Sequence, residues 1–177
     1  VSIGPDLQRD LDYSQMGKKA DWAYVYKAIH SVHEKGKAIV VMPRFSLTNP
    51  LKERFRKQIM ENGYLEKVIQ MPAGTLPRTN MAYSVLVFSN NNQNVEFVDC
   101  RDCWKEEKHA KQIDWEMVKT RYSQNHEILK NTEILERECA LDISVYREEK
   151  RFAEELHATE IQKLCDTFIG HVMLKDK

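Results

Sequence analysis

Two short apolar runs, each shut off by a proline, limit what this chain can fold into. They are Lys37-Ala38-Ile39-Val40-Val41-Met42-Pro43 and Leu65–Met71 followed by Pro72. A nearly unbroken apolar run of this length reads as a strand buried on both faces, as in sheets with helices on either side. Proline has no N–H to give to a ladder and ends such a strand. The residues between and before the runs carry helical spacing. From Ala20, Trp22, Val25, Tyr26, Ile29 and Val32 recur along one face, and Gly36 ends the helix. Asn49-Pro50 opens a second helix with Leu51, Phe55, Ile59 and Met60 facing inward, and Asn62-Gly63 stops it.

Ala73–Asn80 is a loop, Ala82–Ser89 a third strand and Val95–Cys100 a fourth. The polar stretch Asn90–Asn94 suits a hairpin between these last two. The alternation predicts an α/β sheet with parallel strands and a late antiparallel turn-back. Beyond residue 100 the character changes. Asp102–Lys111 is charged, and within it Lys105–Lys111 is mixed in sign and reads as a solvated face; Ile113–Tyr122 reads as a short helix, and Asn131–Tyr146 as another short helix with an extended end. Arg147–Val172 reads as one helix whose stripe of Phe152, Leu156, Ile161, Leu164, Phe168 and Val172 suits docking. The expected organisation is an irregular segment 1–19, an α/β domain 20–100, an appended helical and extended segment 101–146, and a C-terminal helix 147–177.

Lys+Arg and Asp+Glu both number 27, so the chain is formally neutral. Phosphate contacts usually leave a free-standing nucleic-acid binder visibly basic, so net charge supplies no argument for DNA here. Eighteen consecutive apolar residues do not occur, which excludes a simple transmembrane helix, and Val1-Ser2-Ile3-Gly4-Pro5-Asp6 lacks the build of a secretory signal. Cys100, Cys103, Cys139 and Cys165 are unevenly spaced, and reduced thiols in a cytoplasmic protein are expected. Cys100-Arg101-Asp102-Cys103 is a lone C-x-x-C; His109 and His126 would have to complete a zinc site, without the regular spacing such sites show. The plainer account is a strand end passing two small thiols into a loop. His30, His33, His157 and His171 add no metal-type constellation, and Ser31, Ser46 and Ser84 lack a nucleophile-elbow context.

A succession of segments carries a family likeness. Ala20-Asp21-Trp22-Ala23-Tyr24-Val25 is followed by Gly36 through Pro43, then Phe55-Arg56-Lys57-Gln58-Ile59. Leu65-Glu66-Lys67-Val68-Ile69-Gln70-Met71-Pro72-Ala73-Gly74 comes next, then Thr79, then Ser84-Val85-Leu86-Val87-Phe88. In this order they resemble the modification subunit of type I restriction–modification systems, an adenine-N6 DNA methylase. Val95–Asp99 and the stretch from Asn131-Thr132-Glu133-Ile134 to Leu141-Asp142-Ile143-Ser144-Val145-Tyr146 extend the likeness over roughly residues 20–146.

The resemblance implies the C-terminal strands of a partial Rossmann-like methyltransferase sheet, the last of them antiparallel, with appended C-terminal helices. In that family S-adenosylmethionine sits at a glycine-rich turn, and an Asn-Pro-Pro-Phe/Tyr tetrapeptide holds a flipped adenine. This sequence contains neither: its glycines are isolated, and Asn49-Pro50 is followed by Leu51. The chain alone is therefore expected to bind no S-adenosylmethionine and to be inactive, the catalytic tetrapeptide falling in the family just before residue 1. The implied partners are DNA, through the full subunit, and the specificity and restriction subunits.

The likeness also singles out residues. Pro77, Arg78, Thr79 and Asn80 match the loop that approaches base and backbone. Related members carry an aromatic residue in this loop, where this chain has Leu76-Pro77-Arg78, so base stacking is in doubt while Arg78 and Thr79 remain suited to phosphate. An ordinary connecting loop is the plainer account. Asp21 and Trp22 match the border of the cofactor's adenine pocket, against an early helical acid and a core tryptophan. The strand Lys37–Pro43 should expose an unpaired edge, open to a homodimer or to cover by other residues. A second reading makes the chain a non-catalytic module that docks on a specificity subunit through the helix from Arg147.

Overall fold

A computed structural model of the chain describes residues 21–107, 109–124 and 126–148. The expected irregular segment 1–19 and nearly all of the helix from Arg147 lie outside the described residues. Helix α1 (Asp21–His30) leads to strand β1 (Ala38–Pro43). Two 3₁₀ turns, Arg44–Leu47 and Pro50–Lys52, precede α2 (Glu53–Glu61). Strands β2 (Leu65–Gln70), β3 (Tyr83–Phe88) and β4 (Asn94–Asp99) follow. Then come β5 (Trp104–Glu107), β6 (Ala110–Ile113), α3 (Trp115–Gln124), β7 (His126–Lys130) and α4 (Asn131–Leu135). The compact unit holding these elements ends at Asp142, and residues 143–148, expected to be extended to Tyr146, are helical.

The main sheet runs β1-β3-β2-β4-β7. β3 is antiparallel to both of its neighbours, so β1 and β2 point the same way, and β4 is parallel to β2. This is a mixed α/β sheet of the partial Rossmann-like kind, with one correction. β3 and β4 do not form a hairpin, because β2 lies between them. The connection steps past the start of β2, with Ser89 N–H donating to Tyr64 O (2.9 Å) and Asn92 N–H to Gly63 O (2.9 Å). Two strand spacings are about 10 Å, which five residues span easily, so a polar linker of this length fits a neighbour or a strand once removed. Gly63, at φ +63°, turns α2 into β2, and a Cβ there would meet Asn92 O at 2.6 Å.

Register sorts the side chains onto two faces. Leu86, Val68 and Phe97 lie in one transverse row and are buried. Trp22, Val25 and Ile29 of α1, which packs on β1, and Phe55, Ile59 and Met60 of α2 are buried as well. The opposite face differs from expectation at β1, where Ile39 is 69% and Val41 56% exposed. The strand is therefore covered on one face only, and it is an edge among the described residues, as its sequence predicted. Further across that face α3 packs on β4 and β7, and Lys67 lies 4.7 Å from the Tyr122 ring while pairing with Glu96 at 2.6 Å. Strands β5, β6 and β7 lie where no strand was expected.

Next to this face Met71, Tyr83, Val98, Cys100 and Cys103 form a core cluster, against which Leu76, Ile113 and Val118 pack. The C-x-x-C thiols are thus core groups. Burial, and then the neighbouring Cys103, pushes the Cys100 thiol up to about 12, and burial likewise raises Cys103. Among the described residues no three His, Cys, Asp or Glu side chains come together to hold a metal.

The second helix carries an unexpected inward residue. Leu51 falls in the 3₁₀ turn and is 85% exposed, not inward as its spacing suggested. Arg56 is 1% exposed instead. Its guanidinium donates to the carbonyls of Cys139 (2.7 Å), Asn49 (2.7 Å), Glu138 (3.1 Å) and Ser46 (3.4 Å). Burying a cation is costly unless its donors are used, and here Nε and both terminal nitrogens are. Asn49 behaves as expected, its side chain capping the turn at Leu51 N–H (3.0 Å).

Two outcomes follow. Arg56→Met keeps the bulk but leaves four buried or half-buried carbonyls short of a donor, and should lower unfolding free energy by about 3 kcal/mol in urea titration. A loss under about 1 kcal/mol would show the network to be dispensable. Cys100 and Cys103, held as neutral thiols, should react with iodoacetamide at pH 8 at least about tenfold more slowly in the folded protein than in denaturant. Equal labelling of their peptide by mass spectrometry in both states would contradict this.

Candidate functional site

Because β1 and β2 point the same way, their C-terminal ends share one edge of the sheet, the edge at which open α/β sheets bind ligands. β1 ends at Pro43, paired with Tyr83 at the start of β3. β2 ends at Gln70, and residues 71–82 return the chain to β3. Arg44 N–H donates to Ala82 O (2.9 Å) and Met71 N–H to Tyr83 O (3.1 Å), so the two chain ends are neighbours.

The loop is built from local bonds. Gly74 takes φ +76°. The Thr75 hydroxyl donates to Pro72 O (2.8 Å) and lies 3.1 Å from the Tyr83 hydroxyl. Thr79 Oγ1 accepts from Met81 N–H (3.1 Å). Leu76 packs on the cysteine-bearing cluster and pins the loop from below. Pro77, Arg78 and Asn80 are exposed and Thr79 half-buried, so the four residues expected to meet substrate stand together at the surface. Arg78 is held at φ +62°, a region uncommon for a side chain other than glycine.

The loop forms one wall of an open cleft of about 580 Å³, and His109, Ala110 and Lys111 form the other. That second wall belongs to the β5–β6 hairpin, which the sequence disguises as a charged surface stretch. Asp114 N–H donates to Cys103 O (3.1 Å) at its base. Arg121 of α3 donates to Asp99 O (3.0 Å) and to the Asp102 carboxylate (2.8 Å), fixing the hairpin's root to the end of β4. A fainter signal was available: Trp104 and Ile113 flank the stretch symmetrically and pair across it.

The two residues expected near a cofactor lie at the start of α1. Asp21 is half-buried and accepts from the Ser46 hydroxyl (3.2 Å), which places it beside the turn after β1. Trp22 is 1% exposed, packed as a core residue, and its indole N–H finds no acceptor among the described residues. The nearby turn is further tied by Arg44, whose Nε donates to Asp142 at 2.6 Å.

Comparison with known proteins places this geometry. Over 103 residues the chain is 29% identical to the type I restriction enzyme MpnII methylase subunit of Mycoplasma pneumoniae, covering 53% of this chain and 19% of that one. Its fold is similar to that of the type I restriction–modification methyltransferase subunit of Streptococcus thermophilus. That match has a TM-score of 0.67 at 21% identity, over 81% of this chain and 34% of the other. A modification subunit of a putative type I restriction enzyme from Vibrio vulnificus matches with a TM-score of 0.55 at 17% identity, over 75% and 30%. The chain thus spans about a fifth of the curated relative's length and about a third of the solved subunits'. The family model for N-6 DNA methylases matches residues 5–165, and the chain belongs to that family.

Proposed function

We propose that these residues are the C-terminal, DNA-facing portion of a site-specific adenine-N6 methyltransferase subunit of a type I restriction–modification system. The carrying observation is the surface cluster of Pro77, Arg78, Thr79 and Asn80 at the sheet edge where β1 and β2 end. In this reading the Arg78 guanidinium and the Thr79 and Asn80 side chains hold backbone phosphates, which sets the register of the duplex while the base is read elsewhere. Leu76, packed inward, anchors the loop and leaves stacking on the flipped adenine to other residues.

S-adenosylmethionine is the methyl donor of this chemistry. Asp21, at the edge next to Ser46, is the group of this chain best placed to border it, with Trp22 stiffening the helix start from within the core. The 177 residues hold neither a glycine-rich turn nor the Asn-Pro-Pro-Phe/Tyr tetrapeptide. Methyl transfer needs donor and nucleophile in line at contact distance, and these residues alone do not grip both. The edge of β1, open among the described residues, with Ile39 and Val41 exposed beside it, is where the rest of a methyltransferase sheet would add. DNA, specificity and restriction subunits are the partners of the whole assembly in this reading.

Calorimetric titration of the 177-residue chain with S-adenosylmethionine should give no binding heat, and a radiolabel assay on duplex DNA no methyl transfer. Micromolar binding, or transfer by the chain unaided, would defeat the proposal that the active centre is incomplete here.

A further inference from the structure

We propose that the β5–β6 hairpin is the second arm of a phosphodiester-gripping cleft, in which His109 and Lys111 face Arg78 across a bound nucleic-acid backbone. This rests on the reading of the Arg78 loop as DNA-facing and extends it to a part of the chain that reads in sequence as a solvated face.

The cleft's lining is one-sided in charge. Among the described residues that form it, Arg78, His109 and Lys111 bring cationic or protonatable groups, Thr75, Thr79 and Asn80 bring neutral polar groups, and no residue is acidic. Such a lining in a formally neutral chain requires that the acids be placed elsewhere. The hairpin shows how this is done. Register sets Glu106 opposite Lys111, yet the Lys111 ammonium turns to the diagonal Trp104 ring, 4.2 Å from its centroid. A charge resting on an aromatic face is held in position without being neutralised by a carboxylate.

The two walls are also built to stand close. Gly74 has no side chain, and a Cβ added there would lie 3.4 Å from Asn80 Oδ1 and 3.8 Å from Lys111 Cδ. The lysine stem therefore passes directly over the loop's glycine. Each wall presents one non-glycine residue in the left-handed region, Arg78 at φ +62° and His109 at φ +60°. His109 takes it in the two-residue connection between β5 and β6, where such an angle is the ordinary turn geometry, and Arg78 takes it in the longer loop. The leucine-and-cysteine cluster beneath, which takes in both Leu76 of the loop and Ile113 of the hairpin, fixes the two walls to one base. A row of cationic and polar donors suits the repeating phosphates of a strand better than it suits a single anion.

Fluorescence anisotropy with a labelled DNA duplex, run on the full 177-residue chain across a salt series, tests the proposal. Lys111→Gln should weaken binding roughly three- to tenfold at low salt and reduce the slope of log K against log salt by about one. Lys105→Gln removes the same charge from the hairpin's other face and should leave the slope unchanged. If Arg78→Gln weakens binding while Lys111→Gln does not, the hairpin arm is wrong and the loop reading stands. If Lys111→Gln acts while Arg78→Gln does not, the hairpin binds and the loop reading fails. Equal losses from Lys105→Gln and Lys111→Gln would reduce the effect to bulk charge and overturn the cleft. Inorganic phosphate that displaces the duplex at millimolar concentration, beyond chloride of equal ionic strength, would make this a single-anion site and overturn the backbone assignment. No binding by the unsubstituted chain would overturn both readings.

Discussion

β3 has a hydrogen-bonding neighbour on each side, and much of the rest follows from that placement. A strand that enters antiparallel between two others forces them to run in a common direction, so β1 and β2 deliver their ends to one edge. The chain must then turn back within residues 71–82, and the turn is pressed against the end of β1 through Pro43–Tyr83 and the Arg44–Ala82 bond. The exposed loop is thus a consequence of placing β3 between β1 and β2. Its first and last residues are fixed by sheet geometry, and only its tip is free to carry Arg78.

Arg56 plays a matching part at the turn after β1. Four carbonyls from the turn after β1 and from residues 138–139 converge on one guanidinium. Glu138 and Cys139 both take φ +51°, a conformation that local sterics disfavour and that the arginine's bonds help to hold. Leu141 N–H donates to Leu47 O (3.1 Å), and Arg44 reaches Asp142, so the segment from Arg44 to Asn49 is clamped along its length. Asp21, bonded to Ser46 in that segment, inherits the rigidity.

How much of this was legible in the sequence depended on the range of the information. β1 and β2 were readable because apolar content over six residues is local, and Gly63 marked the turn between α2 and β2 through its own backbone freedom. The order of strands was not, since the polar linker Ser89–Gln93 carries no record of whether it joins neighbours or skips one. Leu51 was assigned inward because helical spacing was extended through a 3₁₀ turn, where the angular step per residue is larger. Arg56 was hidden by the rule that charges face water. Residues 77–80 were singled out through family likeness, and composition alone would have passed over them. β5 has every residue exposed, and in β7 the inward positions hold Glu127 and Leu129 while the apolar Ile128 faces out, so neither shows the apolar–polar alternation by which half-buried strands are recognised.

Net charge is silent about local surfaces for a physical reason that bears on the cleft. Twenty-seven cations and twenty-seven anions cancel in sum, but a bound strand senses only those within about a Debye length, roughly 10 Å at 0.1 M salt. Elsewhere acids and bases are drawn together: Lys67 with Glu96, Lys37 with Glu66, Arg101 with Asp99 and Arg121 with Asp102 are all within 2.8 Å. Each such pair removes a cation and an anion from the count that a distant ligand feels. What remains unbalanced is local: the lining carries Arg78, His109 and Lys111 and no acid, while Asp99 and Asp102 at the hairpin's root are engaged by Arg101 and Arg121. A neutral chain can therefore present a phosphate-seeking surface without any excess of basic residues, provided that its folding sorts charges into pairs in one region and leaves them singly signed in another.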